Sequence, residues 1–264
     1  LKKQEGMPTV PKERRIRPIH IWQSAAAILF LLLASSVYLS TVGTKAETDL
    51  LQQYIPIAKM RSLTLPDGTK VQLNSKSTLL YPHEFTGDSR SVFLLGEANF
   101  KVKPDKKRPF IVKSNDLQIT ALGTEFNVSA YPESQEIATT LISGSIRVDY
   151  NNLTTSVILH PNEQFAYNRN NKKYDLSNPD MDDVTAWQRG ELVLQKMTLT
   201  DIINVLERKY PYAFVYSIKN LKNDRFSFRF KDNAPLEEVM EIIVNVVGQM
   251  DYRIVEDKCY LTRI

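Results

Sequence analysis

Cysteine occurs once in this chain of 264 residues, at Cys259. No disulfide can form within the chain, so its stability must come from ordinary packed cores. Cys259 stands between Lys258 and Tyr260 in a strand-like run and reads as a small packed residue, not a nucleophile. Histidine is almost as scarce. His20, His83 and His160 do not lie four residues apart, and no cysteine or carboxylate cluster accompanies them. A metal site needs three or four converging ligands, so neither a metal nor another cofactor is expected. The sequence also lacks a phosphate-binding loop, a dinucleotide fingerprint and a G-x-S-x-G elbow. The adjacent Glu237 and Glu238 open a predicted helix, where they complement its dipole. No catalytic residue is nominated, and the chain reads as one that holds and binds, not as an enzyme.

An excess of charge is missing too, except at one end. The net charge of +4 is contained in residues 1–18, which carry six basic and two acidic side chains. The remainder is electrically balanced, which removes the usual electrostatic argument for nucleic-acid binding. Between Arg17 and Lys45 there is no charged residue at all. The stretch 19–42, IHIWQSAAAILFLLLASSVYLSTV, is long enough as a helix to span a bilayer. Trp22 and Tyr38 lie near its two ends, where headgroups favour amphipathic rings. A transmembrane helix is therefore expected here, in contact with the lipid bilayer. The basic residues before it place the N-terminus in the cytoplasm and residues 43–264 in the periplasm. A cleaved signal peptide is the alternative, with Ala34-Ser35-Ser36 as the cleavage site.

After a polar linker at 43–59, residues 60–167 read as short strands between turns. Pro66-Asp67-Gly68 marks a tight turn between SLTL and TKVQL. Gly96 interrupts the alternating run 91–103 and suggests a bulge or a close backbone approach. Strands follow at 110–113, 117–122, 125–131, 137–142, 145–150, 156–159 and 164–167, with no helical period among them. This predicts an all-β domain, a sandwich or a solenoid.

A second polar linker occupies 168–185, and the pattern then changes. ELVL at 191–194, a helix ending before Pro211, and YAFVY at 212–216 form one β-α-β series. FSFRF at 226–230, a helix from Pro235 to Gly248, and DYRIV at 251–255 form a second, offset by 37 residues when Leu199 is set against Leu236. CYLTRI then closes the chain as a hairpin partner. Residues 186–264 are expected to form a small α+β domain of two βαβ-type repeats. Its last strand, Cys259, Tyr260, Leu261, Thr262, Arg263 and Ile264, is the candidate partner-binding edge, with unpaired backbone groups for an added strand. The alternative is that this strand is internal and the edge belongs to ELVL or YAFVY.

Three segments carry a resemblance: LPDGTKVQLNSKSTLLYP (65–82), FLLGEANFKVKPDKKRPFIVKS (93–114) and ITALGTEFNV (119–128). Together with Trp187, Gly190-Glu191 and the two helix openings at Thr198-Leu199 and Pro235-Leu236, they resemble the FecR family, in the form found in Bacteroidetes. The resemblance implies a single-pass inner-membrane anti-sigma regulator. Its partners would be the signalling domain of a TonB-dependent outer-membrane receptor, an intramembrane protease, and an extracytoplasmic-function (ECF) sigma factor. The sigma factor would be bound by a domain preceding residue 1, for which residues 1–18 would be the remnant. A membrane-anchored envelope structural or carbohydrate-binding module is the alternative.

Overall fold

A computed structural model describes residues 18–42, 49–216, 224–232 and 234–263. The chain divides into two compact units, residues 1–48 and residues 49–264. The first unit contains helix α1, Pro18–Val42. Among the described residues no helix is long and apolar enough to cross a membrane, which overturns the reading of 19–42 as a transmembrane helix. Polar side chains interrupt the apolar run of this helix. His20, Gln23, Ser24, Ser35, Ser36, Ser40 and Thr41 interrupt the run, and four alanines dilute it. Ser35 does return its hydroxyl to a helix carbonyl, donating to Leu32 O at 2.9 Å.

The second unit begins with strands β1 (Leu50–Tyr54), β2 (Arg61–Thr64), β3 (Lys70–Leu73) and β4 (Thr78–Pro82). β5 (Arg90–Lys101) follows, then β6 (Phe110–Lys113), β7 (Gln118–Ala121), β8 (Glu125–Ala130) and β9 (Glu136–Ser143). β10 (Ile146–Tyr150), β11 (Thr155–Leu159), β12 (Gln164–Asn168) and β13 (Tyr174–Ser177) complete the series. β1 and β13 lie in stretches that read as linkers from sequence.

These strands form neither a sandwich of two separate sheets nor a solenoid. They make one continuous 13-stranded, half-barrel sheet organised on β5. The first half of β5 pairs with β4 and with β6, the latter in parallel. Its second half pairs with β3 and β8. A strand of 12 residues is about twice the usual length, so it can serve two sets of neighbours. The change of partners falls at Gly96, whose φ is +105°. A Cβ there would lie 2.4 Å from Ser77 Oγ and 2.7 Å from Ser77 Cα. The close backbone approach suggested by the sequence is thus present. The inward side chains form one core, in which Phe100 stacks on Phe126 at 5.4 Å. Gly68 closes the expected turn at φ +87°.

A short helix α2 (Met181–Thr185) and a 3-10 turn (Ala186–Arg189) lead into the C-terminal part. There follow β14 (Leu192–Met197), α3 (Leu199–Lys209), β15 (Ala213–Tyr216), β16 (Phe226–Phe230), α4 (Leu236–Val247), β17 (Met250–Val255) and β18 (Lys258–Arg263). Thr198 caps α3, accepting from Asp201 N, and Gly248 caps the C-terminus of α4. The order β-α-β does occur twice, but the repeats are not crossovers within one sheet. The two leading strands, β14 and β16, pair with each other. The two following strands join β18 in a second sheet, ordered β15-β18-β17. α3 and α4 bury one apolar face each, and with both sheets they enclose a second core.

The terminal strand is central, not an edge. β18 pairs in parallel with β15 through residues 258–261 and antiparallel with β17 along its whole length. Cys259 and Leu261 point into the core, and burial pushes the Cys259 thiol up to about 11. Among the described residues the open edges of this sheet belong to β15 and β17. Ile264, the last residue of the expected edge, lies outside the described residues.

Candidate functional site: a polar cleft between two cores

The outer face of the sheet around β5 carries an unusual row. Residues paired directly across strands project to the same face. Gln72, Asn99, Asn127, Thr140 and Gln164 are such successive partners on β3, β5, β8, β9 and β12. Ser62 on β2 and Ser177 on β13 extend the row at its ends. Every member is polar and uncharged, while the neighbouring Ala98, Phe100, Phe126, Val128 and Leu141 fill the core behind it. Within the row, Gln164 Nε2 donates to Thr140 Oγ1 at 2.7 Å.

The C-terminal part lies over this row and leaves a cleft of about 940 Å³. Asn127, Thr140 and Gln164 form one wall, and β14, Trp187 and Arg208 form the other. Glu97, half-buried at the floor, accepts from Asn74 Nδ2 at 2.8 Å and from Asn127 Nδ2 at 3.0 Å. Burial pushes the Glu97 carboxyl above its usual range, against the downward pull of Asn127, Asn74 and the more distant Arg208 charge.

Two side chains of the C-terminal part reach across to the sheet. Trp187 Nε1 donates to Asn127 Oδ1 at 3.3 Å. The Arg208 guanidinium, on α3, lies 3.8 Å above the Tyr131 ring and donates to Glu133 Oε1 at 2.8 Å. Arg208 also accepts a backbone bond from Ala58 N through its carbonyl, at 3.0 Å. Only 8 % of Arg208 is exposed, so its charge is compensated by the ring and the carboxylate instead of water. The Tyr131 hydroxyl is itself buried, donates to Ser75 O at 2.9 Å and is pushed up by desolvation.

The segment that carries Trp187 is held to the C-terminal part by ion pairs of its neighbours. Arg229 on β16 pairs with Asp183, with Asp182 at 2.8 Å and with Glu191 at 2.9 Å. Arg189 pairs with Asp182 at 2.8 Å and Glu191 at 2.9 Å. α2 and the 3-10 turn are therefore fastened to β16 by Asp182 and Asp183, which read as linker from sequence, and by Glu191, which reads as the start of a strand. Among the described residues no group of three or more His, Cys, Asp or Glu is placed to hold a metal ion.

The FecR protein profile matches residues 55–147, and the FecR C-terminal profile matches residues 191–261. Two crystal structures of a candidate anti-sigma factor from Parabacteroides distasonis, at 1.65 and 2.50 Å resolution, share this architecture. Each is 34 % identical with a TM-score of 0.76. The matched parts cover 81 % and 82 % of this chain and 99 % and 100 % of theirs. The chain belongs to the FecR family. No curated protein matches it. The two FecR profiles fall on either side of the cleft. The aspartate of L-P-D-G, Asp67, takes no part in the cleft, and its side chain is buried in the β2–β3 turn against Arg90. Trp187 does take part, through its bond to Asn127.

The cleft is not legible as a site in the sequence. Asn99, Asn127, Thr140 and Gln164 each occupy the polar position of an alternating strand and look like solvent-facing residues. Only the register of successive strands assembles them into a row. Arg208 looks like part of the polar face of an amphipathic helix, in the last turn where a basic residue complements the dipole. Nothing local marks it as a residue that reaches another core.

Proposed function

We propose that this chain is an anti-sigma regulator that relays the state of a TonB-dependent outer-membrane receptor to an extracytoplasmic-function sigma factor. The observation that carries this reading is the ordered pair of FecR profiles, on a fold shared at 34 % identity with the anti-sigma candidate of P. distasonis. In this reading residues 49–264 form the receiving part, outside the cytoplasm, and the receptor's signalling domain is their partner. Regulated proteolysis would then free the sigma factor. Among the described residues β15 and β17 each have one edge without a ladder partner, and a partner that adds a strand there would displace Glu207 Oε1 from Phe214 N on β15 or Asp251 Oδ1 from Tyr252 N on β17.

The test is sigma-dependent transcription in a strain lacking this chain, combined with binding of residues 49–264 to the receptor's signalling domain. The expected result is transcription that no longer responds to the receptor, and a direct complex of the two purified parts. Unchanged receptor-dependent transcription would overturn the reading. A reporter fused after the last residue and active only outside the cytoplasm checks the placement separately.

A further inference from the structure

We propose that the joint between the two cores of residues 49–264 is a reversible latch, held by Arg208 and Trp187, which opens without unfolding either core. The proposal does not depend on the identity of the receptor or the sigma factor.

Four observations carry it. First, the two hydrophobic cores share no residue. Between them lies the uncharged polar row, with the cleft of about 940 Å³ above it. A joint with one wholly polar wall and an open cleft, unlike a large continuous hydrophobic interface, ordinarily permits relative motion. Second, the chain passes from one part to the other once, after β13, so one segment around 178–180 can act as the hinge. Third, the contacts that bridge the joint are of a kind that can break and re-form: the Trp187–Asn127 bond, the Arg208–Tyr131 stack, the Arg208–Glu133 ion pair and the Ala58–Arg208 backbone bond.

The fourth observation supplies the opposing force. Asn99 Nδ2 and Gln188 Nε2 are buried at the seam without a hydrogen-bond partner. Asn99 is 6 % exposed, and both residues line a second recess of about 330 Å³ beside the 3-10 turn. A buried donor left unpaired is costly, and opening would return both donors to water. The closed position is thus favoured by Arg208 and Trp187 and disfavoured by two orphan amides. An equilibrium balanced in this way responds to a partner that prefers either position. Because Arg229 and Arg189 tie α2 and the 3-10 turn to β16, Trp187 travels with the C-terminal part and breaks from Asn127 when the joint opens.

The experiment uses the full chain carrying Trp22→Phe, which leaves Trp187 as its only tryptophan. Hydrogen exchange at the Ala58 amide reports the bridging bond, and acrylamide quenching reports the exposure of Trp187. Amides of Phe126 and Val128 report unfolding of the sheet core, and the Ile243 amide that of the second core. In the parent, Ala58 should exchange faster than these core amides. Arg208→Met should accelerate Ala58 exchange roughly tenfold or more and increase quenching, with core exchange unchanged. Asn99→Leu removes an orphan donor and should slow Ala58 exchange. If Arg208→Met fails to fold by circular dichroism, the Asn99→Leu arm decides alone. Ala58 exchange that tracks the core amides, or that Asn99→Leu leaves unchanged, would overturn the latch.

Discussion

Asp67 and Arg90 form an ion pair of 2.7 Å with only 4 % and 1 % of their side chains exposed. The aspartate of the L-P-D-G turn is thereby fixed to the first residue of β5. Asp67 also accepts from Thr69 N at 2.9 Å and Thr69 Oγ1 at 2.7 Å. Arg90 donates in addition to Arg108 O and Lys103 O, at 2.9 and 2.8 Å.

Removing one partner of such a pair strands a charge in the interior. Asp67→Ala should cost about 3–5 kcal/mol in urea denaturation. The double variant Asp67→Ala/Arg90→Met should cost less than the sum of the two single changes, because no charge is then left uncompensated. Additive effects would show that the pair contributes nothing as a pair.

At Gly96, an alanine Cβ would meet the backbone and side chain of buried Ser77, and the φ of +105° is strained for any other residue. At Gly68 the nearest neighbour is the flexible end of Lys103, at 3.0 Å. Gly96→Ala should therefore cost more than Gly68→Ala, which carries mainly a backbone penalty of about 1 kcal/mol. Thermal melts of the two variants provide the check. Equal losses would mean that β5 and the Ser77 segment can move apart.

Proline at Leu261 falls in the centre of a three-stranded sheet. It should remove a ladder bond and disrupt the second core, costing about 3 kcal/mol or more. Calorimetry should show the C-terminal transition lost or lowered while the transition of the β5 sheet persists. Loss of both transitions together would show that the two cores do not melt independently.

Much of this architecture is visible in the chain before folding. Alternation locates nearly every strand from 61 to 168, and Thr198, Pro211, Pro235 and Gly248 bracket the two longer helices of the C-terminal part. The failures have definite causes. β1 and β13 are hidden because LLQQY does not alternate cleanly in hydropathy and YDLS is exposed throughout. The double role of β5 is hidden because alternation names a strand's buried face but not its neighbours. The helix at 18–42 is overread when an absence of charge is weighed more heavily than the presence of serine, glutamine and threonine.

Glu97 offers a pH test. Burial raises its carboxyl in the folded chain, so the native state holds the proton more tightly than the unfolded state. The associated stability is fully present below the unfolded carboxylate value, about 4.3, and is lost as pH rises through the higher native value. The stability of the parent relative to Glu97→Gln should fall with rising pH across that window and be flat on either side. Urea titrations at a series of pH values measure it. A difference that grows with pH would mean that Asn74 and Asn127 outweigh burial.

The row from Ser62 to Ser177 has a consequence for how the joint responds to its surroundings. On the sheet's side the separating surface is amide and hydroxyl, and the hydrocarbon newly exposed is mainly that of the Trp187 and Tyr131 rings, so opening should carry a smaller heat-capacity change than unfolding either core. Its sensitivity to urea should also lie below that of unfolding, since that slope follows the total area exposed and the joint is smaller than either core. Warming and denaturant would then act on the two cores more steeply than on the balance between the closed and open positions. A contact that breaks or replaces the bonds of Arg208 would shift that balance at constant temperature.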